Sequence, residues 1–177
     1  MTTPIIAGIP LSKDWWIGRI LTQYYAEYTW VSLGFDDGTI IVASVEEVCV
    51  GKWFEVFPLK IDIVMPDHLS GHTFKWTPLP APLTVCRARS LWRAEWLEPA
   101  QDIGQFLGSG PHSVQHVSRL QRVPLGANAF EVEAGIELQG IDGRCFVICS
   151  SDNSPFKIDL ATETGEIEQI LQFHTVQ

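Results

Sequence analysis

At 177 residues, the chain is long enough for one domain of ordinary size with a buried core. Hydrophobic residues make up 46% of it and charged residues 19%, proportions that are typical of a globular chain and exclude a disordered one. Acidic residues outnumber basic ones by 21 to 12, and the net charge of −9 opposes binding to nucleic acid phosphates or anionic lipid. We therefore expect a single domain over residues 1–177 that binds neither nucleic acid nor a membrane.

The N-terminus and the cysteines indicate a cytoplasmic protein. Residues 1–7 lack the basic segment and the long apolar core of a secretory signal, and no later stretch approaches about 18 consecutive apolar residues. The cysteines lie in apolar runs without a Cys-x-x-Cys pair, so their spacing suggests neither a disulfide framework nor a zinc knuckle. We expect a reducing compartment and no cofactor.

The first part of the chain contains one ambiguous element and one clear unit. Residues 16–21 fit either a strand or a short helix, because their apolar positions suit both spacings. Residues 29–44 contain an alternating run, then Asp37-Gly38, then the apolar run Ile40–Ala43. Alternation predicts a half-exposed strand, and Asp-Gly favours a tight hairpin turn. The solid apolar run predicts a partner strand that is covered on both faces.

A second unit of the same kind occupies residues 134–150. Here an alternating run is followed by Asp142-Gly143 and by the apolar run Cys145–Cys149. A Pro-x-Lys-Ile-Asp block follows each unit, at residues 58–62 and 155–159. The two matching blocks in the same order predict an internal duplication, with half-repeats at about 15–66 and 84–160. The alternative is that unrelated hairpins use the same turn chemistry.

The segments between and after these units complete the predicted fold. Residues 77–82, Thr-Pro-Leu-Pro-Ala-Pro, join the half-repeats, and we expect an extended crossing there because proline cannot complete a central strand. Residues 86–96 alternate with a period of two and predict a strand, although their composition also suits a helix. Residues 99–113 are glycine-rich and predict a loop. A short amphipathic C-terminal helix is indicated by the spacing of Ile167, Ile170, Leu171 and His174.

The expected fold is therefore mainly β, with α+β as the alternative. Antiparallel sheets would form from the two strand–Asp-Gly–strand units. They would build an open barrel or a sandwich, and a short helix would follow at the C-terminus.

Two groups of residues are candidate binding residues. Arg87, Arg89 and Arg93 would project from one face of the strand at 86–96, where guanidinium groups can bind carboxylates or phosphate. The alternative is that they pair across the sheet with acids of the same chain. Trp15 and Trp16 would point to opposite faces of a strand and form an exposed pair, while most other tryptophans are buried.

One histidine pair has a spacing used by metal sites. His112 and His116 would place two imidazoles on one face of a helix, as zinc requires. No third ligand is evident from the sequence, so surface histidines are the favoured interpretation. We therefore predict no structural metal.

The sequence leaves three classes of function open. A non-catalytic protein-interaction module, either antitoxin- or immunity-like or an accessory protein, is favoured by the acidic charge, by seven tryptophans and by the lack of a complete catalytic motif. Its partner would be a basic protein. An enzyme with paired carboxylates is the first alternative, and its candidate acids are Asp36, Asp62, Glu95 and Asp142. A small-molecule or carbohydrate-binding β module is the second.

Overall fold

The computed structural model describes residues 5–6, 9–49, 55–64, 75–96, 129–151, 154 and 156–176. Within these residues the fold is mainly β, with a short helix near each end. The loop predicted at residues 99–113, and with it His112 and His116, lies outside the described residues.

The elements confirm most of the predicted strands and the C-terminal helix. The first half contains β1 (Ile5–Ile6), α1 (Lys13–Trp16), β2 (Ile20–Ala26), β3 (Trp30–Phe35), β4 (Ile40–Val45), β5 (Val48–Cys49), β6 (Glu55–Val56) and β7 (Leu59–Val64). The second half contains β8 (Thr77–Trp96), β9 (Ala129–Gly140), β10 (Cys145–Ser150), β11 (Ile158–Ala161), α2 (Thr164–Leu171) and β12 (Thr175–Val176). The ambiguous segment 16–21 thus contains the end of a helix and the start of a strand.

Eight strands form one antiparallel path in the order β11-β10-β9-β8-β2-β3-β4-β7, which does not close into a barrel. Beside this path, β1 pairs with β9 in parallel and β12 pairs with β8, while β5 and β6 form a separate pair. The path has two sides that meet where β2 pairs with β8. Counted outward from this pair, one side contains β2, β3, β4 and β7, and the other contains β8, β9, β10 and β11, so the strands follow in chain order on both sides. The duplication itself stays a prediction.

The two Asp-Gly turns are built alike, and both connect antiparallel strands. Gly38 and Gly143 have φ angles of +83° and +84°, in the left-handed region that glycine adopts at low cost. Each glycine N–H donates to the carbonyl oxygen three residues earlier, at 3.1 and 3.0 Å. The Oδ1 atoms of Asp37 and Asp142 each accept the amide hydrogen two residues later, at 2.9 and 3.1 Å. Local turn chemistry therefore determines both hairpins.

The sheet bends so that its two halves pack against each other across one core. Strand β10 lies against β4, and β11 lies against β3. Burial of apolar side chains from both halves stabilises this arrangement by roughly 25 cal/mol per Å². The largest fully buried members of this core are Trp16, Phe146, Leu21, Leu33, Ile41, Leu59, Ile61 and Leu138.

Burial differs from the alternation pattern in three strands. The strands β3 and β9 were expected to be half exposed, but Ser32, Glu133 and Glu137 are buried with their neighbours. Both strands lie inside the sheet, each between two paired neighbours. Strand β4 was expected to be covered on both faces, but Ile40 and Val42 are only partly buried. Helix α2 covers the outer face of β10, and no helix covers β4 among the described residues.

The proline-rich segment is extended, as expected, but it forms part of a strand. Residues 77–82 begin the 20-residue strand β8, and Pro78 lies opposite Gln23 of β2. The crossing that was expected at these residues is thus continuous with the strand predicted at 86–96. Within residues 77–82 only Thr77 and Pro78 pair with β2, and the register shifts before Leu83. Pairing of β8 with β9 begins only at Val85, opposite Gly140. Proline is tolerated in this part of β8 because no ladder runs along both of its sides.

Candidate functional site

The three arginines of the first candidate group lie on β8 and differ in their contacts. Arg87 is exposed. Arg89 Nη2 lies 2.6 Å from Oε2 of Glu137, whose side chain is 3% exposed. Arg93 Nη1 donates to the carbonyl oxygen of Ser150 at 3.1 Å. Cross-strand pairing with an acid of the same chain therefore describes Arg89, and Arg93 is engaged within the fold.

Trp15 and Trp16 lie in helix α1 and not in a strand. The expectation of an exposed pair is wrong for Trp16, which is 0% exposed in the core. The helical turn brings the two rings together edge to face, with their centroids 5.0 Å apart. Trp15 is half-buried, and the guanidinium carbon of Arg19 lies 3.8 Å from its ring centroid. Of the two, only Trp15 can contact a ligand without opening the core.

The acids that were candidates for an enzyme are engaged locally or exposed. Asp62 and Asp142 each form an ion pair with a basic residue two positions away, at 3.4 and 2.7 Å. Asp36 is exposed at the first hairpin turn, and the side chain of Glu95 lies outside the described residues. In the part of the chain that the structure describes, no three His, Cys, Asp or Glu side chains are arranged to hold a metal ion.

Helix α2 is flanked by two clefts, of which we term the first the proline cleft. It has a volume of about 370 Å³ and lies between the start of β8, strands β2 and β10, and the turn that leads to α2. The rings of Tyr24 and Phe146 meet in its wall with centroids 5.6 Å apart. The lining residues are Tyr24, Thr77, Pro78, Leu79, Pro80, Leu83, Arg144, Cys145, Phe146, Thr162 and Glu163.

The thiol in the proline cleft is not a nucleophile at neutral pH. Cys145 Sγ lies 3.4 Å from Oε1 of Glu137. Burial, followed by the hydrogen bond and the negative charge of Glu137, raises the pKa of the Cys145 thiol to about 11. The reactive form of cysteine is the thiolate, so this side chain stays protonated and donates to the buried carboxylate.

The charged residues of the proline cleft differ in how far they are neutralised. Arg144 Nε donates to Asp142 Oδ2 at 2.7 Å, and its two Nη atoms donate to the carbonyl oxygens of Ala81 and Pro82 at 3.0 and 2.8 Å. Glu163 is the N-cap residue of α2, but its side chain makes no capping hydrogen bond, and its carboxylate has no ion pair among the described residues. The cleft therefore carries the uncompensated negative charge of Glu163.

The second cleft, which we term the helix cleft, lies between α2 and strands β10 and β11. It has a volume of about 530 Å³. Phe173 at its edge is 69% exposed, so its ring is accessible to another molecule. The lining residues are Cys149, Ser150, Asp159, Leu160, Ala161, Glu166, Gln169, Ile170, Phe173 and His174.

The surface around helix α2 is acidic. Residues 158–177 contain four acidic residues and neither lysine nor arginine. The first of the four, Asp159, pairs with Lys157 at 3.0 Å. The other three, Glu163, Glu166 and Glu168, are exposed and have no ion pair within the described part of the chain. An acidic face here borders two clefts, with Glu163 lining the proline cleft and Glu166 lining the helix cleft.

Sequence patterns predicted neither cleft. The walls of the proline cleft come from segments far apart in the chain, and those of the helix cleft depend on how α2 packs against β10 and β11. The absence of lysine and arginine after Lys157 was the available signal for the acidic surface. No helix among the described residues is both long and apolar enough to cross a membrane. Comparisons of the chain with protein-family models, with curated proteins and with solved structures find no match.

Proposed function

We propose that this chain is a cytoplasmic, non-catalytic protein-interaction module, antitoxin- or immunity-like or an accessory protein, that binds a basic protein partner through the helix cleft. The observation that carries the proposal is an apolar cleft bordered by an exposed aromatic ring and by uncompensated carboxylates. Apolar anchors in a cleft supply binding energy, and the surrounding charges supply orientation and association rate.

The apolar part of the surface suits one anchoring side chain of a partner. Ile170 and Leu160 line the helix cleft and are partly buried, and Phe173 stands at its edge. Exposed Phe173 loses solvent contact only when another molecule covers it. Large aromatic side chains beside a pocket are typical of residues that dominate interface energetics.

The charge of the surface selects the chemistry of the partner. Glu166 lines the helix cleft, and Glu168 lies two positions further along α2. With neither lysine nor arginine in 158–177, a partner that brings lysine or arginine would gain attraction. An acidic partner or a phosphate backbone would be repelled.

The test compares capture of partners by the wild-type chain and by two charge variants. Tagged wild-type protein is used to enrich partners from the native host, and the captured protein is then purified for direct titration. The variant Glu166→Lys, Glu168→Lys changes the proposed surface. The control Asp36→Lys, Glu47→Lys changes two exposed acids elsewhere and shifts the net charge equally.

The expected result is a basic protein that binds the wild type and the control but binds the α2 variant at least about tenfold more weakly. Phe173→Ala should weaken the same complex. Binding should also fall as salt increases, because the charges lie at the surface. Capture of no basic protein, or equal binding by all variants, contradicts the proposal.

A further inference from the structure

We infer that the proline cleft is a binding site for a small amine with an apolar ring, separate from the helix cleft. The ligand class follows from the walls, from the charge and from the state of the cysteine in that cleft. Each of these is independent of the protein partner proposed above.

The size and the walls of the proline cleft suit a ring compound. Its volume of about 370 Å³ lies within the range of small-molecule sites, which are mostly apolar with a few polar groups. The rings of Pro78 and Pro80 line one side, and Tyr24 lines another. Tyr24 is only half-buried, so its aromatic surface is available to a ligand. A flat or cyclic apolar body would contact these surfaces together.

The charge of the cleft selects an amine over an acid. The donors of Arg144 are directed to Asp142 and to two backbone carbonyl oxygens, so its cation is already neutralised. Glu163 contributes an exposed carboxylate with no ion pair and no capping hydrogen bond among the described residues. An ammonium group near Glu163 would be attracted, whereas a carboxylate or phosphate would be repelled. An aromatic wall also favours a cation over an anion.

The cysteine in the cleft indicates binding and not covalent chemistry. Its thiol donates to buried Glu137 and is not the thiolate that a nucleophile requires. Cys145 therefore contributes part of the wall. The ligand would bind and dissociate unchanged.

The test uses three probes with the same phenyl body and different head groups: phenethylamine, phenethyl alcohol and phenylpropionate. Binding is followed by NMR titration of the full chain. We expect amide shifts at Thr77, Thr162 and Glu163 with the affinity order amine, alcohol, acid. The amine should bind about threefold more tightly than the alcohol at low salt, since Glu163 is exposed and its charge is screened.

Three variants complete the experiment. Glu163→Gln should reduce the amine to the affinity of the alcohol, and the matched control Glu168→Gln, outside the cleft, should keep the preference. Thr162→Trp places a bulky side chain at an exposed wall position and should abolish binding of all three probes, with folding checked by thermal unfolding. The inference is overturned if no probe shifts these resonances, if phenylpropionate binds as tightly as the amine, or if either cleft variant behaves like wild type.

Discussion

The two hairpin glycines allow a sharp test of what determines the turns. An alanine Cβ placed at Gly38 or at Gly143 would meet no atom within 4 Å. Steric contact with neighbouring atoms therefore does not destabilise an alanine at either position, and the loss of stability comes from the backbone conformation alone. The φ angles of +83° and +84° lie in the left-handed region, which costs an L-residue roughly 1–2 kcal/mol. We expect Gly38→Ala and Gly143→Ala to destabilise the fold equally, by about that amount.

Gly165 provides a matched control with the opposite expected sign. A Cβ at this position also meets nothing within 4 Å, but the residue lies in helix α2 without a left-handed φ. Alanine favours a helix over glycine by up to about 1 kcal/mol and also restricts the unfolded chain. Gly165→Ala should therefore stabilise the protein by about 0.5 kcal/mol.

The assay is urea unfolding followed by tryptophan fluorescence, supported by thermal unfolding. For a chain of this size, 1 kcal/mol corresponds to a shift in Tm of about 2–4 °C. Both turn variants should lower the Tm by a similar amount, and the helix variant should raise it. A difference above about 1 kcal/mol between the turn variants, or destabilisation by Gly165→Ala, refutes the argument that backbone conformation alone sets these costs.

Three further predictions concern ionisable groups. At about pH 8, iodoacetamide should modify exposed Cys86 but hardly modify Cys145. The pKa of the Cys145 thiol is about 11, so roughly one thiol in a thousand is ionised at this pH. Comparable modification rates of the two cysteines in peptide mapping would contradict this prediction. Arg89→Ala should lower the free energy of unfolding in urea by about 2–4 kcal/mol, because it leaves the buried carboxylate of Glu137 without its ion-pair partner. The control Arg87→Ala, at an exposed position, should lower it by less than about 0.5 kcal/mol. Equal losses would refute the argument from burial. Hydrogen bonds from Thr39 lower the pKa of Asp37 below 3.8, and hydrogen bonds from Arg144 lower the pKa of Asp142 in the same way. Both ionised carboxylates therefore stabilise the folded state above pH 3.8, and this stabilisation is lost as the pH falls through their pKa values in the folded protein. Stability measured at about pH 7 and about pH 3 should thus fall less in the double variant Asp37→Asn, Asp142→Asn than in the wild type, and an unchanged fall would contradict the assignment.

The parts of the fold that could be predicted from the sequence depend on short-range physics. Asp37-Gly38 and Asp142-Gly143 specify hairpins through their own backbone preferences, although Arg19 also donates to Asp37 from 18 residues away. The helical spacing of Ile167 and Ile170 likewise predicts α2, whose buried side packs on the sheet.

What the sequence did not predict depends on which strands lie inside the sheet. Alternation indicated a solvent face for β9, yet Glu137 lies on that strand between two neighbours and needs Arg89 as a partner. The proline-rich segment was expected to be a crossing, whereas it begins β8 at a point where β9 does not yet pair. The proline cleft was not predicted, because Tyr24 and Phe146 meet only in the folded chain.

Strand β8 has a consequence for how the protein folds. Its first residues pair with β2 and its later residues with β9, so one continuous strand belongs to both halves. Leu21 and Leu83 pair although roughly 60 residues separate them in the chain. The loss of chain entropy on closing this loop comes before the contacts between the strands can stabilise the pairing. We therefore expect one cooperative unfolding transition and slow folding, because neither half keeps its complete set of strand partners while the other is unfolded.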